Sequence, residues 1–175
     1  MNIRSFLIIF AMSSLLYSEE NFGIVVHGGA GVMSGLSEER QQQIHKKIQE
    51  TVSEAYEILE QGGSSFDAVE LAVSMLEDSP LFNAGRGSVY NSDEVQEMDA
   101  SIMDGKNRLS GAVASVSTVK NPIKLARKVA EETKHVLLMG EGAERFAKDI
   151  GVDIVEKDYF YHEERLKRLR NSKKK

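Results

Sequence analysis

Two glycine-rich segments hold the residues of this chain whose types and spacing could do chemistry. They are "VVHGGAG", where His27 precedes Gly28 and Gly29, and "PLFNAGRGSVYN", where Asn83 stands just before Gly85 and Gly87. A carboxamide donates and accepts, so Asn83 could stabilise a developing oxyanion or hold a water, or simply cap the loop that carries it. A lone histidine such as His27 at the end of an apolar strand has no partner to make it a catalyst, and a structural role is the better reading. Asp93, Glu94, Glu97, Asp99 and Asp104 could surround a divalent cation. They lack the D-x-[DN]-x-[DN]-G spacing, however, and fit better as a solvated face.

Other chemistries run out quickly. "GGAGVMS" has no third glycine at the spacing of a dinucleotide fingerprint, and no GxxxxGK[ST] follows anywhere, so a glycine turn at a strand end is preferred over a phosphate cradle. An esterase oxyanion loop would need a GxSxG elbow, which is missing. With no cysteine and four dispersed histidines without an HExxH pair, thiol and zincin chemistry are excluded. A net charge of -5 argues against nucleic acid as a partner.

The elements that must position these residues follow from periodicity. The 175 residues, 41% hydrophobic and 28% charged, suit one globular domain. Residues 1–18 place Arg4 before an apolar run too short for a comfortable span, the pattern of a secretory signal, and predict a periplasmic or secreted protein. Residues 24–26 predict a strand. Ile44, Ile48, Val52, Tyr56 and Leu59 predict a helix over about 38–60 that Gly62 and Gly63 close. Ser64 and Asp67 form a capping box for a second helix, apolar on two faces and so expected to be sandwiched. "GSVYN", "EMDASIMDG" and "LSGAVASVSTV" predict neighbouring strands. Asn121 and Pro122 predict a helix start with Asn121 as N-cap, "HVLLMG" a buried strand, and residues 141–150 a short helix. This order predicts an α+β class, with helices on both sides of a largely antiparallel sheet pair.

Together "VVHGGAG", "PLFNAGRGSVYN" and "EMDASIMDG", in this order and joined by "GAVASVSTVKNPIKLAR" and "HVLLMGEGAERFA", resemble the isoaspartyl peptidase/plant-type L-asparaginase family of N-terminal nucleophile hydrolases, over residues 23 to about 170. The resemblance implies a layered αββα fold and a precursor that cuts itself to expose a threonine as the first residue of a β subunit. The amine of that threonine, with a reference pKa near 7.7 to 8.0, serves as base to its own hydroxyl. The family's Thr-Val-Gly motif is absent from this sequence, and internal threonines such as Thr51, Thr118 and Thr133 have no free amine.

The chain therefore resembles the α-subunit portion, residues 19–160, with the fold incomplete without the β subunit and an (αβ)₂ assembly implied. The alternative is a non-catalytic remnant or partner-binding protein. By the same resemblance, Asn83 lies beside the nucleophile, and Gly28 and Gly29 form the turn near it. The main-chain carbonyls of Leu76, Glu77, Ser79, Phe82, Ala84 and Arg86 would hold a structural sodium ion. No organic cofactor is implied. Residues 161–175, rich in lysine and arginine, are expected as a basic flexible linker rather than a membrane-binding segment. Strands at residues 24–26, 113–116 and 136–139 are expected to stay only partly covered without the second half.

Overall fold

The computed structural model describes residues 22–29 and 35–174; the leader expected over 1–18 lies outside the described residues. Helix α1, Glu38–Glu60, begins where Ser37 Oγ accepts the Arg40 N–H at 3.2 Å. Helix α2, Ser65–Glu77, begins at the expected capping box: Ser64 Oγ accepts the Asp67 N–H at 3.1 Å and donates to Asp67 Oδ2 at 2.6 Å. The two helices meet through small residues, with Ala55, Ala68 and Ala72 buried between them and Ile24, Val26, Ile58 and Leu59 packed around.

Strand β1, Met98–Asp104, runs antiparallel to β2, Leu109–Val116. Helix α3, Pro122–Glu132, leads to β3, Leu137–Met139, which pairs parallel to β2, giving the order β1-β2-β3. Helix α4, Gly140–Asp149, and helix α5, Glu163–Ser172, complete the fold. The main core joins Ile102, Val113 and Val116 of the sheet to Ile123, Leu125, Ala126 and Val129 of α3 and to Ala143 and Ala147 of α4. Glu144 ties α4 to the end of β2, its Oε1 accepting the Ser117 and Thr118 N–H groups at 2.7 and 3.0 Å.

The α+β class is as expected, in a smaller sheet than the anticipated pair. The helices that build the core lie against one face, whereas Ser101 and Met103 on the alternate face of β1 are exposed. Residues 24–26 are extended but not a strand: Ile24 and Val26 turn inward and Val25 is 96% exposed, with no neighbouring strand to pair among the described residues. "GSVYN" is not a strand either, because side chains take its backbone groups; Asn83 Oδ1 accepts the Val89 N–H, and Gln96 Nε2 donates to Ser88 O at 2.9 Å. The β3 strand is short and exposed at Leu137 and Met139 rather than buried, while Val113 and Val116 are fully covered by α3, not half-open. Helix α2 is not sandwiched throughout, since Val69 is exposed. The basic tail also departs from expectation. Residues 163–172 are helical, held by the bidentate pair of Arg170 with Glu94 at 3.0 and 2.6 Å and a hydrogen bond from Lys173 to Ser92 O.

Asn121 does not cap α3 with its side chain, which instead donates from Nδ2 to Asp78 Oδ1 at 3.2 Å. The cap comes from Glu77, the last residue of α2, whose Oε1 accepts the Ile123 N–H at 3.0 Å. Four amide groups at a helix start lack intrahelical acceptors, and a carboxylate there also meets the positive end of the helix dipole. Glu77 is buried, and its Oε2 has no hydrogen-bond partner among the described residues. Burial pushes this carboxyl up to about 7, although the Ile123 N–H pulls the other way.

A folded-state value above the unfolded 4.5 means that the unfolded chain ionises first as pH rises. The stabilising contribution is complete below about 4.5 and lost as pH passes 7, a total on the order of 3 kcal/mol. Glu77→Gln keeps an acceptor without the titration. Urea unfolding at pH 5 and 7.5 should show the wild type losing about 2 kcal/mol more than this variant; equal pH dependence would remove Glu77 as the cause.

Candidate functional site

The extended segment at residues 24–29 ends in the glycine turn, which His27 holds by accepting the Gly29 N–H on Nδ1 at 3.1 Å. The histidine is thus structural in this arrangement. Gly28 packs so closely on Ile48 of α1 and Phe82 that an added Cβ would stand 3.1 Å from each. Phe82 is buried, and its neighbour Asn83 is exposed with Oδ1 accepting the Val89 N–H at 2.9 Å. The carbonyl oxygen of Asn83 therefore anchors the loop, as its bland role required, while its amide group has no acceptor among the described residues. Gly28, Gly29, Phe82 and Asn83 line one cavity of about 600 Å³ between the turn, α1 and the start of α5. Two sequence segments more than fifty residues apart thus share one wall.

Beside that cavity the chain from Leu76 to Gly87 curls on itself. A Cβ at Gly85 would lie 2.2 Å from Glu77 O, and one at Gly87 would lie 2.0 Å from Phe82 O. Gly85 has φ +47, in the left-handed region that glycine adopts most easily. The short 3₁₀ turn Gly85–Gly87 closes the curl, with Gly87 N–H donating to Ala84 O at 2.9 Å. Leu76 O accepts the Ser79 N–H at 3.2 Å. Each carbonyl oxygen has two lone pairs, so these bonds leave acceptor capacity. Arg86 lays its guanidinium over the Tyr159 ring at 5.3 Å from the centroid, away from any carboxylate role. Of the expected loop residues only Phe82 also lines the cavity; Leu76, Glu77, Ser79, Ala84 and Arg86 belong to the curl behind it.

The acids from Asp93 to Asp104 form no common site among the described residues. Glu94 pairs with Arg170, Glu97 accepts from Asn91 Nδ2 at 2.7 Å and Ser115 Oγ at 2.6 Å, and Asp99 accepts the Ser115 N–H at 2.8 Å. Asp104 caps its own turn through Lys106 N–H and Asn107 Nδ2. Side-chain hydrogen bonds hold Glu94, Glu97 and Asp104 below the usual carboxylate range. No cluster of three or more histidines and acids able to hold a metal occurs among the described residues. Sequence reasoning missed the opposite feature: Arg40, His45, His162, Arg165 and Arg168 also line the cavity. The i,i+3 spacing of Arg165 and Arg168 was the available signal, hidden by reading that segment as a linker.

Comparison with known proteins places this geometry. A family model described as "Asparaginase" matches residues 20–175. The chain belongs to this asparaginase family. It is 53% identical over 129 residues to an isoaspartyl peptidase/L-asparaginase of Rattus norvegicus, covering 74% of this chain and 38% of that protein. It is 47% identical over 150 residues to the Mus musculus protein of the same name, covering 86% and 45%. A plant-type L-asparaginase of Pyrococcus furiosus is 54% identical over 128 residues, covering 73% and 41%. The chain thus spans less than half the length of these asparaginase-family relatives, in accord with the α-subunit portion. No helix among the described residues is long and apolar enough to cross a membrane.

The curl gives a direct test. Gly85→Val places a β-branched residue at positive φ against the Glu77 carbonyl, and should lower thermal stability, with a cost of about 2 kcal/mol or more from strain and overpacking. Gly142→Ala, on α4 with open space around its Cβ position, is the control expected to change little. Equal melting temperatures for wild type and Gly85→Val would rule out the close packing.

Proposed function

We propose that this chain is the α portion of an isoaspartyl peptidase/L-asparaginase, hydrolysing β-aspartyl isopeptide bonds and the asparagine side-chain amide. The nucleophile would be an N-terminal threonine on a β chain that completes a layered αββα fold. The observation that carries this reading is the meeting of Gly28, Gly29 and Asn83 in one cavity. In the proposed reaction the threonine hydroxyl attacks the side-chain carbonyl and its proton passes to the threonine amine. The amide nitrogen leaves protonated, and water then cleaves the acyl ester to release aspartate. Asn83 suits the supporting role: with Oδ1 fixed on the Val89 N–H, its amide is a positioned donor for an oxyanion. Internal threonines do not substitute, since Thr51 is buried with its hydroxyl bonded to Lys47 O at 2.8 Å and none has a free amine.

A structural sodium ion fits the curl on the same reading. The neutral carbonyls of Leu76, Glu77, Ser79, Phe82, Ala84 and Arg86 form a hard-oxygen donor set, and the missing side chains at Gly85 and Gly87 let Glu77 O and Phe82 O face inward. The ion would brace the loop that carries Asn83 and do no chemistry itself. Pairing with the β chain, and of two such pairs into (αβ)₂, would cover Val25, Leu137 and Met139, which are exposed here. The residue pattern at 1–18 supports export to the periplasm or outside the cell.

Assayed alone, the chain should release no aspartate from asparagine or a β-aspartyl dipeptide above a heat-killed control; turnover by the pure chain would reject the need for a second half. Co-expressed with a threonine-initiated β half, it should hydrolyse these substrates. In that pair Asn83→Ala should lower kcat by about 10-fold or more with little change in melting temperature, and an unaltered kcat would remove Asn83 from the site.

A further inference from the structure

The cavity that Gly28 and Asn83 line also gathers cationic side chains, in a chain whose net charge is -5. Arg40 comes from the first turn of α1, and Arg165 and Arg168 come from neighbouring positions on one face of α5. The other side of α5 is clamped by Arg170 to Glu94, which fixes the direction in which Arg165 and Arg168 project. None of the three cavity arginines forms an ion pair with a carboxylate among the described residues, and Glu164 is the only acid in the lining. Burial pushes the Arg165 guanidinium below its ordinary value, as do the nearby charges of Arg168 and Arg40, while Glu164 pulls the other way. Like charges gathered in a partly closed space are unfavourable until an anion joins them. A guanidinium fork matches a carboxylate bidentately, and the cavity size falls in the roughly 300–1,000 Å³ range of small-molecule sites.

We propose that Arg165 and Arg168, faced by Arg40, bind the carboxylate on the leaving group of a β-aspartyl dipeptide and so favour such dipeptides over asparagine. The inference rests on the hydrolase reading above. Cleavage of asparagine expels ammonia, which gives these arginines nothing to hold. Cleavage of a β-aspartyl dipeptide expels an amino acid whose free carboxylate lies on the far side of the scissile bond from the aspartyl group. With the scissile carbonyl beside Asn83, that carboxylate extends toward the cationic side chains of the same cavity. The residues are specificity determinants that touch the leaving group and take no part in proton transfer.

Two measurements test this. Calorimetric titration of the 175-residue chain with β-aspartylglycine and with asparagine should show the dipeptide binding at least 10-fold more tightly. That gap should close in Arg165→Ala/Arg168→Ala and partly return in Arg165→Lys/Arg168→Lys, with circular dichroism showing α5 intact. Equal binding of the two ligands, or a gap untouched by the alanine pair, overturns the proposal. In the co-expressed pair the same alanine substitutions should lower kcat/KM for β-aspartylglycine at least 10-fold more than for asparagine. If both substrates fall together and the two halves assemble less well, the arginines serve an acidic segment of the second half and the proposal fails. A pair that hydrolyses neither substrate rejects the hydrolase reading itself, while the titration still decides the carboxylate site.

Discussion

The buried carboxyl of Glu77 is the constraint on which the arrangement of this chain most depends. It ends α2, accepts the Ile123 N–H at the start of α3, and lies at the entry to the curl that carries Asn83. A charge there would be costly to bury, and Oε2 has no partner among the described residues, so burial favours the protonated form. One side chain thereby couples the helix pair α1 and α2 to the sheet and α3. The curl inherits its position from both: Gly85 must fit against the Glu77 carbonyl, and Phe82 against Gly28. Close packing of this kind leaves little freedom for sliding, which is what a site built from two distant segments requires.

A second theme is incompleteness of pairing. Val25, Val136 and Met139 are exposed at extended segments, and the outer face of β1 shows Met103. Extended backbone with free edges and exposed apolar side chains is a template for further strands. The interior of the sheet is sound by contrast, since α3 and α4 seal Val113, Val116 and Ile102. The exposed apolar side chains of β1 and β3 and the finished core lie on different sides of the sheet.

Charge organises the cavity. Around the chain, acids answer bases locally: Arg127 meets Asp67, Glu70 and Glu131 and also covers the Phe66 ring, and Glu163 meets Lys167. Such pairs at partly exposed positions add little stability individually. The arginines of the cavity form no ion pair with a carboxylate among the described residues, and they line the same cavity as glycine backbone and a carboxamide.

Local chemistry was legible in the sequence. Ser64 and Asp67 specified a helix start because a hydroxyl three residues before a carboxylate satisfies free amides within one turn, and the apolar spacing of α1 specified its length. The motifs around Gly28 and Asn83 specified the asparaginase family. Sequence could not specify that Glu77 rather than Asn121 caps α3, because that bond spans 46 residues. The absence of a strand at residues 24–26 was likewise hidden, since a strand exists only where a partner supplies hydrogen bonds. The cationic side of the cavity was hidden for the same reason: Arg40 and Arg165 become neighbours only when α5 is placed beside α1. Propensity, capping and periodicity act over a few residues and are fixed by sequence. Burial, charge clustering and strand pairing are sums over residues far apart in the chain, and only the tertiary structure decides them.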